Sequence, residues 1–149
     1  MKPLKRLKLP ADVEFHKDAP LLIYRPRGLL DEAAVNKIIR VIGDLESSTN
    51  EPFHRFADTL EADAVDLNFH YILHISLYRR LAYSGRHPVK TAILATDKTM
   101  IHYAKLHEMI TQGSPIKVGI FHERETAAKW LGVPVDLLSK EITGGEAPG

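Results

Sequence analysis

Residues 88–132, PVKTAILATDKTMIHYAKLHEMITQGSPIKVGIFHERETAAKWLG, spell out strand, helix, strand, helix. Val89 to Ala95 has the apolar character of a buried strand. Thr96 and Asp97 then supply an N-cap to a helix that runs to about Thr111. Gly113-Ser114-Pro115 turns the chain, and Ile116 to Phe121 forms a second strand. Glu123 to Leu131 is a closing helix, stopped by Gly132. Two strands joined by a helical crossover run parallel, so the chain carries part of an α/β sheet. The connecting turns hold no phosphate-cradling glycine cluster and no nucleophile motif.

Upstream, Val13 to Asp18 and Leu21 to Arg25 form two short strands around Ala19-Pro20, suited to an antiparallel hairpin. Pro26 donates nothing to a ladder and ends the second strand. Arg27-Gly28-Leu29-Leu30 leads to Asp31, an N-cap. In the helix that follows, Ala34, Val35, Ile38, Ile39, Ile42 and Leu45 make one apolar stripe. Ser47 to Pro52 is a loop, and Phe53 to Thr59 is a strand. Leu60 to Leu67, with Glu61, Asp63 and Asp66, is expected as a connector or helical turn. A long helix is expected from about Asn68 to Tyr83, with Phe69, Ile72, Leu73, Ser76, Leu77 and Leu81 on its inner face. Gly85 supplies a left-handed stop. Downstream, Val133 to Leu138 predicts one more short helix with Pro134 near its first turn.

The order β-β-α-β-α-β-α-β-α implies a mixed sheet of four to five strands flanked by helices. The 149 residues suit one domain. Its expected core spans about 13–139, between a basic arm at 1–10 and a frayed tail at 141–149. Hydrophobic content of 44% and charged content of 26% are ordinary for a globular chain. A net charge of +1 gives no general field toward nucleic acid. Lys2, Lys5, Arg6 and Lys8 make the arm basic, which a solvated terminus explains. The absence of cysteine excludes disulfides and thiol chemistry. No apolar run reaches the length of a membrane span, and no secretory signal is present, so a cytoplasmic protein is expected.

Several segments, in order, resemble the STAS family, the anti-sigma factor antagonist (SpoIIAA-like) domains, in a divergent branch. Gly28-Leu29-Leu30-Asp31 resembles the family's glycine-hydrophobic-aspartate turn into its first helix. Phe56-Ala57-Asp58-Thr59 resembles the strand that ends in Asp before the functional loop. Lys90 to Leu94 resembles the next core strand. Phe121 to Gly132, with its acidic turn leading to alanine and Trp130-Leu131, resembles the closing element. The likeness covers about Leu21 to Gly132 and implies a SpoIIAA-like mixed sheet. It also implies a regulatory module that works through protein–protein contacts near the Asp-ended strand and the next helix. Phosphorylatable members carry Ser or Thr at the start of that helix. Asp63-Ala64-Val65-Asp66-Leu67-Asn68 stands there in this chain and offers no hydroxyl. Asp66 takes the place of the phosphate as a charged cap.

The candidate contact residues are Asp58, Thr59, Asp63, Asp66, Asn68, His70, His74, Arg79 and Arg80. His70 and His74, at i and i+4, share a helix face at metal-ligand spacing. No third ligand is evident nearby, so surface histidines explain them and no metal or other cofactor is expected. Asp58, Glu61, Asp63 and Asp66 form an acidic patch that a solvated connector explains. Arg79, Arg80, Arg86 and His87 crowd one helix end, where cations complement the dipole or hold an anion. Ser76 lies mid-helix without a nucleophile context, and His107 is a core-edge histidine.

The first reading is therefore a non-catalytic binding or regulatory module, with a protein partner or a second copy bound through an apolar helix face. The second is a carrier of an apolar small molecule or lipid under the Phe69–Leu81 helix, which requires a cavity of several hundred cubic ångströms. A hydrolytic or metal-dependent enzyme built on the acidic patch with His70 or His74 ranks third, because no constellation converges.

Overall fold

The computed structural model describes residues 8–139, so most of the basic arm and the whole tail lie outside the described residues. The chain runs β1 (Val13–His16), β2 (Leu21–Tyr24), β3 (Gly28–Asp31), α1 (Glu32–Thr49), β4 (His54–Asp58) and β5 (Ala62–Asp66). It continues through α2 (Phe69–Ala82), β6 (Val89–Leu94), α3 (Lys98–Thr111), β7 (Ile116–Phe121), α4 (Arg124–Leu131) and a 3-10 turn at Val135–Leu138.

Five strands form the main sheet in the order β1-β2-β4-β6-β7. β1 pairs antiparallel with β2, and the other pairings are parallel. Successive side chains alternate between the two faces. Leu21, Ile23, Phe56, Ala92 and Leu94 point to one face, where Ala127, Ala128 and Leu131 of α4 and Leu138 of the 3-10 turn cover them. Leu22 and Tyr24 point to the other, against Ile38, Ile42 and Leu45 of α1. On that same face Ile93 packs against Ala104 of α3. The expected α/β class and mixed sheet are thus present, with helices on both sides.

The helix starts follow the capping residues. Asp31 Oδ1 accepts from the Ala34 amide at 3.0 Å. Asp97 Oδ2 accepts from Met100 at 2.9 Å, and Asn68 Oδ1 from Tyr71 at 2.8 Å. The cap of α2 is therefore Asn68, and Asp66 belongs to the strand before it. Gly132, at φ 78, closes α4 in the left-handed conformation that glycine adopts without a Cβ penalty.

Further expectations are corrected, among them the turn expected at Gly28–Asp31, which is strand β3. Leu60 to Leu67 is not a helical turn: Ala62–Asp66 is β5, paired in parallel with β3 in a second, two-stranded sheet. Its aspartates disfavour a strand by propensity, but Asp63 and Asp66 are exposed, where they cost little. The inner face of α2 is also rotated from the expected stripe. Ile72 and Ser76 are buried as expected and Arg79 joins them, whereas Phe69, Leu77 and Leu81 are 52%, 45% and 75% exposed. Arg79 therefore faces inward, where its guanidinium meets His107 of α3.

Candidate functional site

Parallel register sets Leu22, Arg55, Thr91 and Val118 side by side across the sheet. Arg55 and Thr91 are therefore polar residues in the middle of an otherwise apolar face. Both are buried. α2 lowers Ser76, Arg79 and Tyr83 toward them, and α3 brings His107. Arg79 Nη1 lies 3.2 Å from His107 Nε2, and His107 Nδ1 lies 2.7 Å from Ser76 Oγ. Arg55 Nη2 donates to Tyr83 Oη at 2.9 Å and also to Glu46 of α1. The Tyr83 hydroxyl donates to the same Glu46 carboxylate. Arg86 completes the cluster, 3.5 Å from Glu46 Oε1 and stacked 4.5 Å from the Tyr83 ring centroid.

The hydrogen bonds fix the state of His107. A guanidinium only donates, so Nε2 accepts from Arg79 and Nδ1 carries the proton toward Ser76. Burial, with the Arg79 charge adding to it, pushes the His107 pKa down to about 3. This Ser–His contact is no nucleophile–base pair, since the nitrogen facing Ser76 has no lone pair to offer. Arg79 is itself held below its ordinary value by burial and then by Arg55. Burial raises the Tyr83 hydroxyl pKa, so it stays a donor to Glu46.

Among the hollows that adjoin this cluster, two reach Arg79. One, of about 150 Å³, lies beneath α2, between α1, α3 and the sheet, with Ile38, Ile72, Ile75, Ile93 and Met100 among its walls. The other, of about 320 Å³, is a groove between α1 and α2 lined by Ile39, Ile42, Glu46, Arg79, Tyr83 and Arg86. Ile39, Ile42 and Arg79 border both.

The residues singled out in the sequence fall into three groups. Asp58 is fully buried and accepts from Arg124 Nη2 at 2.7 Å and from the Leu60 amide at 3.1 Å. It is an internal ion-pair residue, so the outer surface starts beyond it. Thr59 Oγ1 donates to the Leu94 carbonyl at 2.7 Å. Asp63, Asp66, Asn68, His70 and His74 are exposed around the start of α2. Arg79 is in the buried cluster, and Arg80 Nη1 donates to the carbonyls of Ile110, at 3.0 Å, and Gln112, closing the end of α3. Among the described residues, no three His, Asp or Glu side chains gather as a metal site. No helix among them is long and apolar enough to cross a membrane.

Sequence reasoning did not single out Arg55, Thr91, Tyr83 or Glu46. A signal for Arg55 exists: it alternates with Phe53 and Ala57, so a cation stands in the row of an apolar strand face.

No protein-family model matches this chain, and no curated protein matches it in sequence. Its fold superposes on the crystal structure of an uncharacterized protein of the DUF3478 family, with a SpoIIAA-like fold, from Shewanella loihica PV-4. The identity is 16%, the alignment covers 80% of this chain and 90% of that one, and the TM-score is 0.51. With the strand order and the placement of the helices already described, that likeness establishes that this chain has a SpoIIAA-like fold.

Proposed function

We propose that the protein is a non-catalytic binding module that acts through the outer face of α2, with a second copy of the chain as its occupant. The observation that carries this reading is the exposure of Phe69, Leu77, Tyr78 and Leu81, at 52%, 45%, 55% and 75%. These side chains recur at helical spacing, with Leu73 half-buried in the same row. Contiguous apolar surface of this kind is characteristic of interaction sites.

Charge argues for a second copy. Asp63 and Asp66, both exposed, lie before the first turn of α2, and Arg86, exposed although it pairs with Glu46, lies beyond its last turn. Two α2 helices packed antiparallel about a two-fold axis set each acidic end opposite a basic end. The first turn of α2, Phe69-His70-Tyr71, has no Ser or Thr. Pairing through this face therefore has no Ser or Thr at the helix start to switch it by phosphorylation.

Sedimentation velocity over a concentration series tests the reading. The expected result is a reversible dimer that Leu81→Lys converts to monomer without loss of fold by circular dichroism. A chain that stays monomeric at a few hundred micromolar, or a dimer indifferent to Leu81→Lys, overturns it.

A further inference from the structure

Four polar atoms on the residues that wall the cavity beneath α2 have no partner in the protein: Arg55 Nε and Nη1, Arg79 Nη2 and Thr91 Oγ1. Arg55, Arg79 and Thr91 are only 2%, 8% and 7% exposed. A buried donor left without an acceptor costs about 1–3 kcal/mol, and more when it is charged. Native folds rarely leave several such atoms together without a reason.

The charges do not balance either. Glu46 serves Arg55 and Arg86. Arg79 is in no ion pair among the described residues; it meets neutral His107 and lies 5.9 Å from the Tyr83 ring centroid. Of the two buried guanidiniums at the cavity, Arg55 thus has a carboxylate partner and Arg79 has none. The remaining walls, including Ile72, Ile75, Ile93 and Met100, contain no Asp or Glu to balance the second.

We infer that this cavity is a binding site for a small apolar molecule with a single carboxylate, held by Arg79 and Arg55 with its hydrocarbon part under Ile72 and Ile75. A planar guanidinium recognises a carboxylate through paired N–H donors. Thr91 adds a hydroxyl donor at the sheet. The volume sets the size: about 150 Å³ accommodates a benzene-sized group. That falls short of the several hundred cubic ångströms expected of a lipid carrier, so the apolar-carrier reading narrows to a short or single-ring acid. The groove between α1 and α2 shares Ile39, Ile42 and Arg79 with the cavity and gives a path to it.

Titration calorimetry of the full chain with benzoate and hexanoate, benzyl alcohol as the neutral comparison and inorganic phosphate as the bare anion tests the site. The expected result is saturable 1:1 binding of a carboxylate at least about tenfold tighter than benzyl alcohol. Arg79→Met should abolish that preference, and Arg79→Lys should keep part of it. Arg79→Met removes a buried unpaired charge, so it should fold. Ile75→Trp provides a second variant, expected to fill the cavity and block benzoate while the melting transition persists. Equal affinity for benzoate and benzyl alcohol overturns the inference. So does phosphate binding as tightly as benzoate, unaltered benzoate binding by Ile75→Trp, or no saturable binding of either acid.

Discussion

His107 illustrates how a single side chain takes its chemistry from its neighbours. Its lone pair is committed to Arg79 and its proton to Ser76, and its pKa is lowered from 6.5 to about 3 by burial and by Arg79. The unfolded chain therefore binds a proton below pH 6.5 that the folded chain refuses. The stability contribution is complete above that pH and is lost progressively as the pH falls toward 3. His54, lowered by burial and by Lys90 and Arg55, acts with the same sign. Urea titrations should show the wild type about 2 kcal/mol less stable at pH 5 than at pH 8, with His107→Asn flattening most of that slope. An unchanged slope in the variant would place the pH dependence elsewhere. At this scale the sequence was partly legible. His107 is recognisable as a core-edge residue from its helical neighbours, but its partners come from α2, 28 and 31 positions away.

At the scale of elements, legibility followed local chemistry. β7 begins at Ile116, just after Gly113-Ser114-Pro115, and α3 begins after Asp97, because turn and cap residues mark those points. β5 carried no such mark. Its pairing with β3 depends on main-chain hydrogen bonds, and its side chains are exposed or half-buried. The inner face of α2 was partly obscured, since Ile72 and Ser76 were legible there but Arg79 occupies a position that hydropathy assigns to solvent. The β3–β5 sheet has two strands, an irregular register at Gly28/Leu29 and little apolar cover on β5. Two-stranded units of this kind are marginal by themselves. Native-state hydrogen exchange should therefore find the β3–β5 amides opening at least about tenfold more readily than the β4–β6 amides. Equal protection in both ladders would mean that the small sheet opens only with global unfolding.

The whole molecule is held at one end of its sheet by a residue that the sequence groups with a surface patch. Asp58, Asp63 and Asp66 look alike in sequence, yet only Asp58 ends a central strand, and its side chain points to the face covered by α4. Arg124, the first residue of α4, reaches Asp58 Oδ2 at 2.7 Å. Arg25, just past β2, lies 3.7 Å from the same oxygen. Arg25 also donates to Glu14 of β1 at 3.0 Å and to the Leu138 carbonyl at 2.8 Å. One carboxylate thereby joins β1, β2, β4, α4 and the 3-10 turn. A helix placed on the sheet by apolar contacts alone can slide, and this ion pair fixes its start. Removing the charge leaves Arg124 without a carboxylate, beside the Arg25 guanidinium that Glu14 still holds, so Asp58→Asn should cost about 3 kcal/mol. Asp63→Asn and Asp66→Asn, at exposed positions, should stay within about 0.5 kcal/mol of wild type. Denaturant titrations of the three variants read this directly. Adding Arg124→Met to Asp58→Asn should recover part of the loss, because it withdraws the cation left without a carboxylate. Similar costs at all three aspartates would instead make the patch a single solvated surface and leave α4 held by its apolar contacts.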